Sequence, residues 1–359
     1  MLQRIDVGGT QGYPVFLDVS LEGLGAYLKD RYGSNTHYLI ITNNLVEYLY
    51  AKRVMDGLQE FRTDWIIVPD SEKEKTLTSL SKLTEEAIKV KTDRDSVVLA
   101  LGGGVIGDLA GFFATIFYRG LRYIHIPTTF LAQIDSSIGG KVAVNHPRGK
   151  NLLGAFSPPQ AVWSDFSTLQ TLPWHEIQNG LAETIKHALV ADPDLFNFIE
   201  DHVEDIQNND LEFLKRLAIR SLAVKVKIVT EDEKEKGQRI LLNLGHSFGH
   251  ALETAGAYKG ITHGQGVSIG LAAAANLAYA RGLLSEKELE RIIDLLTKMK
   301  LPKDIAACDP QILLRHMAVD KKNKAGSKVL ILPAGLGKSM VAADCQDDEI
   351  ISAWKKVMR

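Results

Sequence analysis

Apolar residues run through this chain in two rhythms. In the first third they form short β-branched runs, HYLIIT at 37–42, DWIIVPD at 64–70 and DSVVLALGG at 95–103, separated by stretches of helical periodicity. Short runs whose apolar residues are consecutive, without alternation, fit strands covered on both faces, so the pattern predicts parallel βα units. Beyond Pro173 the rhythm changes: WHEIQNGLAETIKHALVA, DLEFLKRLAIRSLAVKVKIV and VSIGLAAAANLAYARGL are helix-periodic and carry few β-branched runs. The expected fold class is therefore α/β plus α, with a parallel-sheet α/β domain over 1–172 followed by a mainly helical domain over 173–359. The proline suits the start of the helix that opens the second domain. KVLILP at 328–333 is expected as an edge strand or hairpin, and the sign-alternating EDEKEK at 231–236 as a solvated loop or frayed helix end.

Composition changes this picture by exclusion. A chain of 359 residues has room for two or three domains of average length. Its 45% apolar and 24% charged residues rule out a disordered or fibrous protein. Lys plus Arg number 42 against 44 Asp plus Glu, a net charge of -2, so no global positive field recruits nucleic acid or an anionic membrane. Cys308 and Cys345 are too few for a disulfide framework or a four-thiolate metal site and fit a reducing cytosol. The opening MLQRIDVGGTQG has one arginine and no apolar core, which predicts no secretory leader, and no segment reaches the ~20 uncharged apolar residues of a spanning helix. The expected place is the cytoplasm. The 30 glycines are the informative count, because they are clustered where backbone must approach something closely.

One cluster lies in LALGGGVIGDLAG, where Gly102, Gly104 and Gly107 satisfy G-x-G-x-x-G after a predicted strand and at the opening of a predicted helix. Glycines there let the backbone approach a pyrophosphate, and the free N–H groups of the helix start receive its charge. The usual acidic partner for a ribose is missing, since no Asp or Glu lies between Asp108 and Asp135. A dinucleotide would need its adenosine end held by earlier residues, and Glu72 and Lys75 are candidates. A second cluster is IPTTFLAQIDSSIGGKVAVNHPRGKN, read as a glycine-softened loop dense in donors: Asp135, Lys141, Asn145, His146, Arg148, Lys150 and Asn151 with two Thr and two Ser. Such a set suits a polyhydroxylated or phosphorylated ligand, and Lys141 after Gly-Gly is poised as a point charge.

A third constellation joins GLAETIKHALVAD, RILLNLGHSFGHALE and ITHGQG. His246 and His250, four apart, share a face if helical, His263 follows, and Glu183, Lys186 and His187 stand on a separate helix. Imidazoles and one carboxylate suit a zinc-like divalent ion with an open position. His246 with His250 is the simplest local chelate, but spacing does not choose the set. The residue after His246 is not Glu, which argues against an H-E-x-x-H protease. Lys225, Arg239, Lys321 and Lys322 supply cations nearby in sequence; Arg239, Asn243 and His246 fall at i, i+4 and i+7, toward one face if helical.

GGGVIGDLAG, IPTTFLAQIDSSIGGKVAVN, GLAETIKHAL, RILLNLGHSFGHALE, HG and DKKN, in this order, resemble the 3-dehydroquinate synthases of the sugar-phosphate cyclase group, from about residue 35 to 335. The resemblance implies a nucleotide-binding α/β domain and a helical metal- and substrate-binding domain, with NAD and a divalent metal, zinc or cobalt. It implies conversion of 3-deoxy-D-arabino-heptulosonate 7-phosphate to 3-dehydroquinate and phosphate, a step of the shikimate pathway toward aromatic amino acids, with NAD oxidising transiently and recovering its hydride before an aldol closure. Matched position by position, it places the metal ligands on Glu183, His246 and His263 in preference to the His246–His250 pair, leaving His250 near the substrate. Asp135, Lys141, Asn151, Lys186, Lys225, Arg239, Asn243 and Lys321 fall around the substrate, and Arg119 reaches a neighbouring subunit's site, implying a homodimer. Glu72, Lys75, Gly103, Gly104, Val105, Asp108, Thr128, Thr129, Asp135, Lys141, Lys150, Thr168 and Thr171 fall to NAD. Where the family often has Asp after its second strand this chain has Asn43, which weakens that position as a ribose ligand. A substrate carrying phosphate and carboxylate accounts for so many bases in a near-neutral chain. The competing expectations are a cyclitol-forming cyclase, whose substrate lacks the carboxylate that Lys225 and Arg239 would meet, a metal-dependent polyol dehydrogenase, which would release NADH, and a binding protein without catalysis.

Overall fold

The computed structural model describes residues 3–69, 71–255, 260–318 and 328–359. Two compact units divide them. The first unit comprises Met1–Leu172 with Lys225–Lys234, and the second Pro173–Val224 with Glu235–Arg359.

The first unit is built on a seven-stranded sheet. Its strands are β1 (Gln3–Val7), β2 (Tyr13–Leu17), β3 (His37–Thr42), β4 (Arg62–Ile67), β5 (Val97–Gly102), β6 (Arg122–Pro127) and, after a hairpin of β7 (Lys141–His146) and β8 (Gly149–Phe156), β9 (Ala161–Ser164). Their order is β1-β2-β9-β6-β5-β3-β4. Only β1 with β2 is antiparallel; the other pairs are parallel. The helices α1 (Leu24–Tyr32), α2 (Asn44–Leu58), α3 (Leu77–Lys89) and α4 (Gly104–Ile116) cover both faces. Alternate residues of one strand therefore enter different cores: Val98 and Ala100 pack with Leu80, Leu83, Leu109 and Phe113, while Val97, Leu99 and Leu101 pack with Leu24, Val54 and Leu58. This is why the strand reads as continuously apolar. The chain moves outward from β3 to β4 and then crosses back to β5, so the strand order reverses between β3 and β5. The carboxyl ends of those strands frame the crevice in which such sheets hold ligands.

The segment at 126–151, expected as a loop, is instead structured: from Lys141 on it forms a hairpin that runs to Phe156, with Lys141 opposite Phe156 and Val144 opposite Leu153. Val142 and Val144 are buried between exposed or half-buried neighbours, a period of two that the surrounding polar residues obscure. Gly140, at φ +62°, makes the turn into it; a Cβ there would stand 2.9 Å from the Pro158 nitrogen.

The second unit is mostly helical: α5 (Trp174–Ala191), α6 (Pro193–Asp201), α7 (Val203–Gln207), the start of α8 (Leu211–Glu231), α9 (His246–Thr254), α10 (His263–Ala280), α11 (Glu286–Lys298), α12 (Pro310–Ala318) and α13 (Asp347–Lys356). The late strand-like run becomes β10 (Lys328–Pro333), paired antiparallel with β11 (Ser339–Cys345). α10 is buried along most of its length and rich in Ala and Gly. A helix apolar all round belongs inside a domain, and its small residues let α5, α9 and α11 pack close. EDEKEK begins at the last residue of α8 and continues as turn and bend.

Candidate functional site

Within the first unit, the glycine-rich turn lies at the carboxyl end of β5, beside the point where strand order reverses. Gly103 caps α4 without a side chain, and the first N–H groups of a helix have no carbonyl four residues back to bond. They form an anion-receiving end. The turn is held by close packing: a Cβ on Gly103 would meet Thr129 Cγ2 at 2.9 Å, one on Gly104 Ser136 Oγ at 3.1 Å, and one on Gly107 the His125 ring at 3.0 Å. Burial holds His125 down to about 4, so it stays neutral beneath the turn. Thr128 continues the packing, donating its N–H to the Gly102 carbonyl at 3.1 Å.

A polar network lies alongside. Lys75 Nζ donates to Asn151 Oδ1 at 2.6 Å and to Asp108 Oδ2. Asn145 Nδ2 donates to Glu72 Oε1 at 2.7 Å, and the Asn151 N–H to Asn145 Oδ1 at 3.0 Å. Burial raises the Asp108 carboxyl above its ordinary value, and Lys75 opposes the shift without cancelling it. Glu72, Lys75 and Asp108 are thus brought together, and Asn151, expected at the substrate, joins them with a left-handed backbone at φ +54°. Lys225 Nζ donates to Asp135 Oδ1 at 2.7 Å, in the same unit. Asn43 accepts the Val46 N–H at 2.8 Å and so caps α2. The Thr168 hydroxyl faces inward, donating to the Asp165 carbonyl and accepting from Gln133, and Thr171 bonds Tyr50. Val105 is in the first turn of α4, while Lys141 opens β7 and Lys150 lies in β8.

In the second unit three helices converge. Glu183 of α5, His246 at the first position of α9 and His263 at the first position of α10 present one ligand atom each, all within 4.8 Å of one another. His263 Nε2 is 3.0 Å and His246 Nε2 3.5 Å from Glu183 Oε1. Backbone proximity makes this possible: a Cβ on Gly264 would stand 2.5 Å from Asn179 Cα, and Gly245, at φ +77°, lies directly against Gly270. Lys186, one turn along α5, is paired with Glu183, and both side chains are buried. The two imidazoles differ. Burial pushes His246 well below its ordinary value despite Glu183, whereas for His263 the carboxylates of Glu183 and Glu253 outweigh burial and raise it to about 9. One buried carboxylate and two imidazole nitrogens fit a divalent metal of the zinc type, the neutral His246 being ready to coordinate.

His250 is exposed, its ring 5.5 Å from that of His246, and is outside this convergence. The expected single face for Arg239, Asn243 and His246 is not formed. Gln238–Asn243 is a separate 3-10 turn, and the left-handed Gly245 redirects the chain before α9. Arg239 is nonetheless buried, and Asn243 Nδ2 donates to Glu235 Oε1 at 2.7 Å. Lys321 lies outside the described residues. Glu253, 3.7 Å from His263 Nδ1, was not anticipated, though its place seven residues after His246 in a helical run puts it on the same face.

Family models describe the same two parts: a 3-dehydroquinate synthase N-terminal model matches residues 65–179 and a 3-dehydroquinate synthase C-terminal model residues 180–323. A 3-dehydroquinate synthase from Pseudoalteromonas atlantica is 40% identical over 340 residues, covering 94% of this chain and 96% of its own. The chain belongs to the 3-dehydroquinate synthase family. Among solved structures, 2-epi-5-epi-valiolone synthase from Streptomyces hygroscopicus, with NAD+ and Zn2+ bound, is similar at a TM-score of 0.90 and 28% identity, covering 99% of each chain. A 2-deoxy-scyllo-inosose synthase complexed with carbaglucose-6-phosphate, NAD+ and Co2+ gives 0.89 and 27%, covering 99% of this chain and 100% of its own. Membership makes this chain an enzyme of the sugar-phosphate cyclase type. No helix among the described residues is long and apolar enough to cross a membrane.

Proposed function

We propose that this enzyme converts 3-deoxy-D-arabino-heptulosonate 7-phosphate to 3-dehydroquinate and phosphate, as a carbon-oxygen lyase of the cytoplasm. The observation that carries the reading is the meeting of Glu183, His246 and His263 beside Lys186 in a chain with 40% identity to a named 3-dehydroquinate synthase.

In this reading residues 1–172 form the NAD-binding domain and 173–359 the metal and substrate domain. NAD lies on the turn of Gly103, Gly104 and Val105, with Glu72, Lys75, Asp108, Thr128, Thr129, Asp135, Lys141, Lys150, Thr168 and Thr171 around it. Glu183, His246 and His263 hold zinc or cobalt. When bound, the metal would supply a Lewis acid for a substrate hydroxyl and NAD a reversible hydride acceptor. The chain's own residues bind and orient. Arg239 presents the planar fork that suits a carboxylate, while Lys141, Lys186, Lys225 and Lys321 offer point charges to phosphate and carboxylate oxygens. Asp135 orients substrate hydroxyls with Asn243, Asn151 steadies Lys75 beside NAD, and the exposed His250 moves a proton at its ring nitrogen.

Support for a homodimer comes from the loop after α4. Tyr118 and Arg119 are consecutive left-handed residues at φ +51° and +69°, and Ile116 and Tyr118 are exposed. Strain of that kind persists where surroundings hold it, and in this reading a second copy does so with Arg119 reaching its substrate site.

The deciding assay supplies NAD and zinc or cobalt with the heptulosonate phosphate and, in parallel, sedoheptulose 7-phosphate and glucose 6-phosphate. Phosphate release from the first alone, without NADH build-up, is expected. Release from either of the others favours the cyclitol-forming reading suggested by the two similar solved structures, and stoichiometric NADH indicates a dehydrogenase.

A further inference from the structure

The face of α9 that begins with His246 continues to Glu253, seven residues on, because i and i+7 stand nearly in line on a helix. The Glu253 side chain is only 7% exposed. Its Oε1 is 3.7 Å from His263 Nδ1, while the other ring nitrogen of His263, Nε2, faces Glu183 at 3.0 Å. The imidazole is thus flanked by two carboxylates, one at each nitrogen. Room for the second comes from α10: a Cβ on Gly266 would lie 3.6 Å from Glu253 Oε1, so the carboxylate rests against bare backbone.

We infer that Glu253 is a positioning residue for the metal centre, holding the Nδ1–H of His263 so that Nε2 carries the lone pair turned toward Glu183 and His246. The inference rests on the reading of Glu183, His246 and His263 as the metal ligands. A shift of under about 1 Å brings the pair to hydrogen-bond length. A carboxylate accepting from the distal nitrogen of a ligating imidazole fixes the tautomer, orients the ring and makes the ligating nitrogen more basic. His246 is served differently. Its Nδ1 meets the Leu244 backbone carbonyl at 3.2 Å, so of the two imidazoles only His263 has a charged group at its distal nitrogen among the contacts described. Glu253 touches neither substrate nor NAD in this role, and its effect passes through His263.

The test measures zinc affinity of the full-length apoprotein by competition with a chromogenic chelator, alongside apoprotein melting, for Glu253→Gln, Glu253→Ala and His263→Ala. Glu253→Ala is expected to weaken zinc binding by about 10- to 100-fold. Glu253→Gln, which keeps an acceptor oxygen but loses the charge, is expected between Glu253→Ala and the wild type, with apoprotein melting unchanged. Wild-type zinc affinity in both Glu253 variants overturns the inference, as does an affinity loss in Glu253→Gln that merely follows a drop in apoprotein melting. His263→Ala separates the two levels: if it keeps its zinc, the ligand reading has failed, whereas if it loses zinc while the Glu253 variants bind normally, only the positioning role has.

Discussion

Gly270 of α10 faces Gly245 so closely that a Cβ on Gly270 would lie 2.0 Å from the Gly245 carbonyl oxygen. The contact sets the spacing of α9 and α10, the helices that begin with His246 and His263. Gly270→Ala is expected to destabilise the apoprotein at or above the usual overpacking cost of about 1–3 kcal/mol, because backbone cannot swing aside as a side chain can. Chemical denaturation reads that cost, and a zinc titration of the same variant is expected to show weaker binding. Unchanged stability would mean that the two helices part without penalty.

The two histidines of α9 are expected to separate in metal analysis. His246→Ala loses bound metal and phosphate release together, since its Nε2 belongs to the three-ligand convergence. His250→Ala keeps the metal and loses turnover. Equal metal loss from both, measured by elemental analysis after dialysis, would return the centre to a local chelate on one helix.

Lys75 and Asp108 form a pair whose lysine side chain is 5% and carboxylate 19% exposed. Removing the cation alone leaves a largely desolvated acid, so Lys75→Met is expected to cost about 3 kcal/mol. The double variant Lys75→Met/Asp108→Leu is expected to recover much of that loss, because it removes both charges. Urea denaturation of the set gives the coupling, and a near-zero value would show that water already screens the pair.

His125 makes stability depend on pH. Its folded value of about 4 lies below the ordinary 6.5 because burial disfavours the imidazolium. The unfolded chain takes up a proton first as pH falls, so the contribution is complete above 6.5, shrinks below it and is gone near 4. Over that window the wild type is expected to lose about 3 kcal/mol more than His125→Phe. Parallel stability curves for the two would contradict the burial of this ring.

The strands were readable because burial on both sheet faces leaves continuous apolar stretches, YLII within HYLIIT and VVLAL within DSVVLALGG. The glycine turn was readable because a bare-backbone helix start is written in the glycines themselves. Other features depend on what packs against them. The hairpin at 141–156 hid its alternation of Val142 and Val144 among polar residues, and the break at Gly245 depends on a left-handed residue that spacing rules treat as helix. Spacing alone favoured His250 over His263, since local chelation is visible in sequence and the approach of α10 to α5 through Gly264 and Asn179 is not. Glu253 was within reach at i+7 from His246, but nothing in the sequence says that His263 lies opposite.

The position of β2 has a consequence for the order in which the protein is made. Its residues pair with the neighbouring β1 but also align in parallel with β9, Val15 beside Val162, far later in the chain. Until β9 emerges, that edge of the β1–β2 hairpin lacks its partner strand while the segment between them is made. Lys225–Lys234, grouped with the same unit, arrive later still. Contacts so distant in sequence close slowly, so a nascent chain halted between β2 and β9 is the form of this protein most exposed to edge-to-edge aggregation.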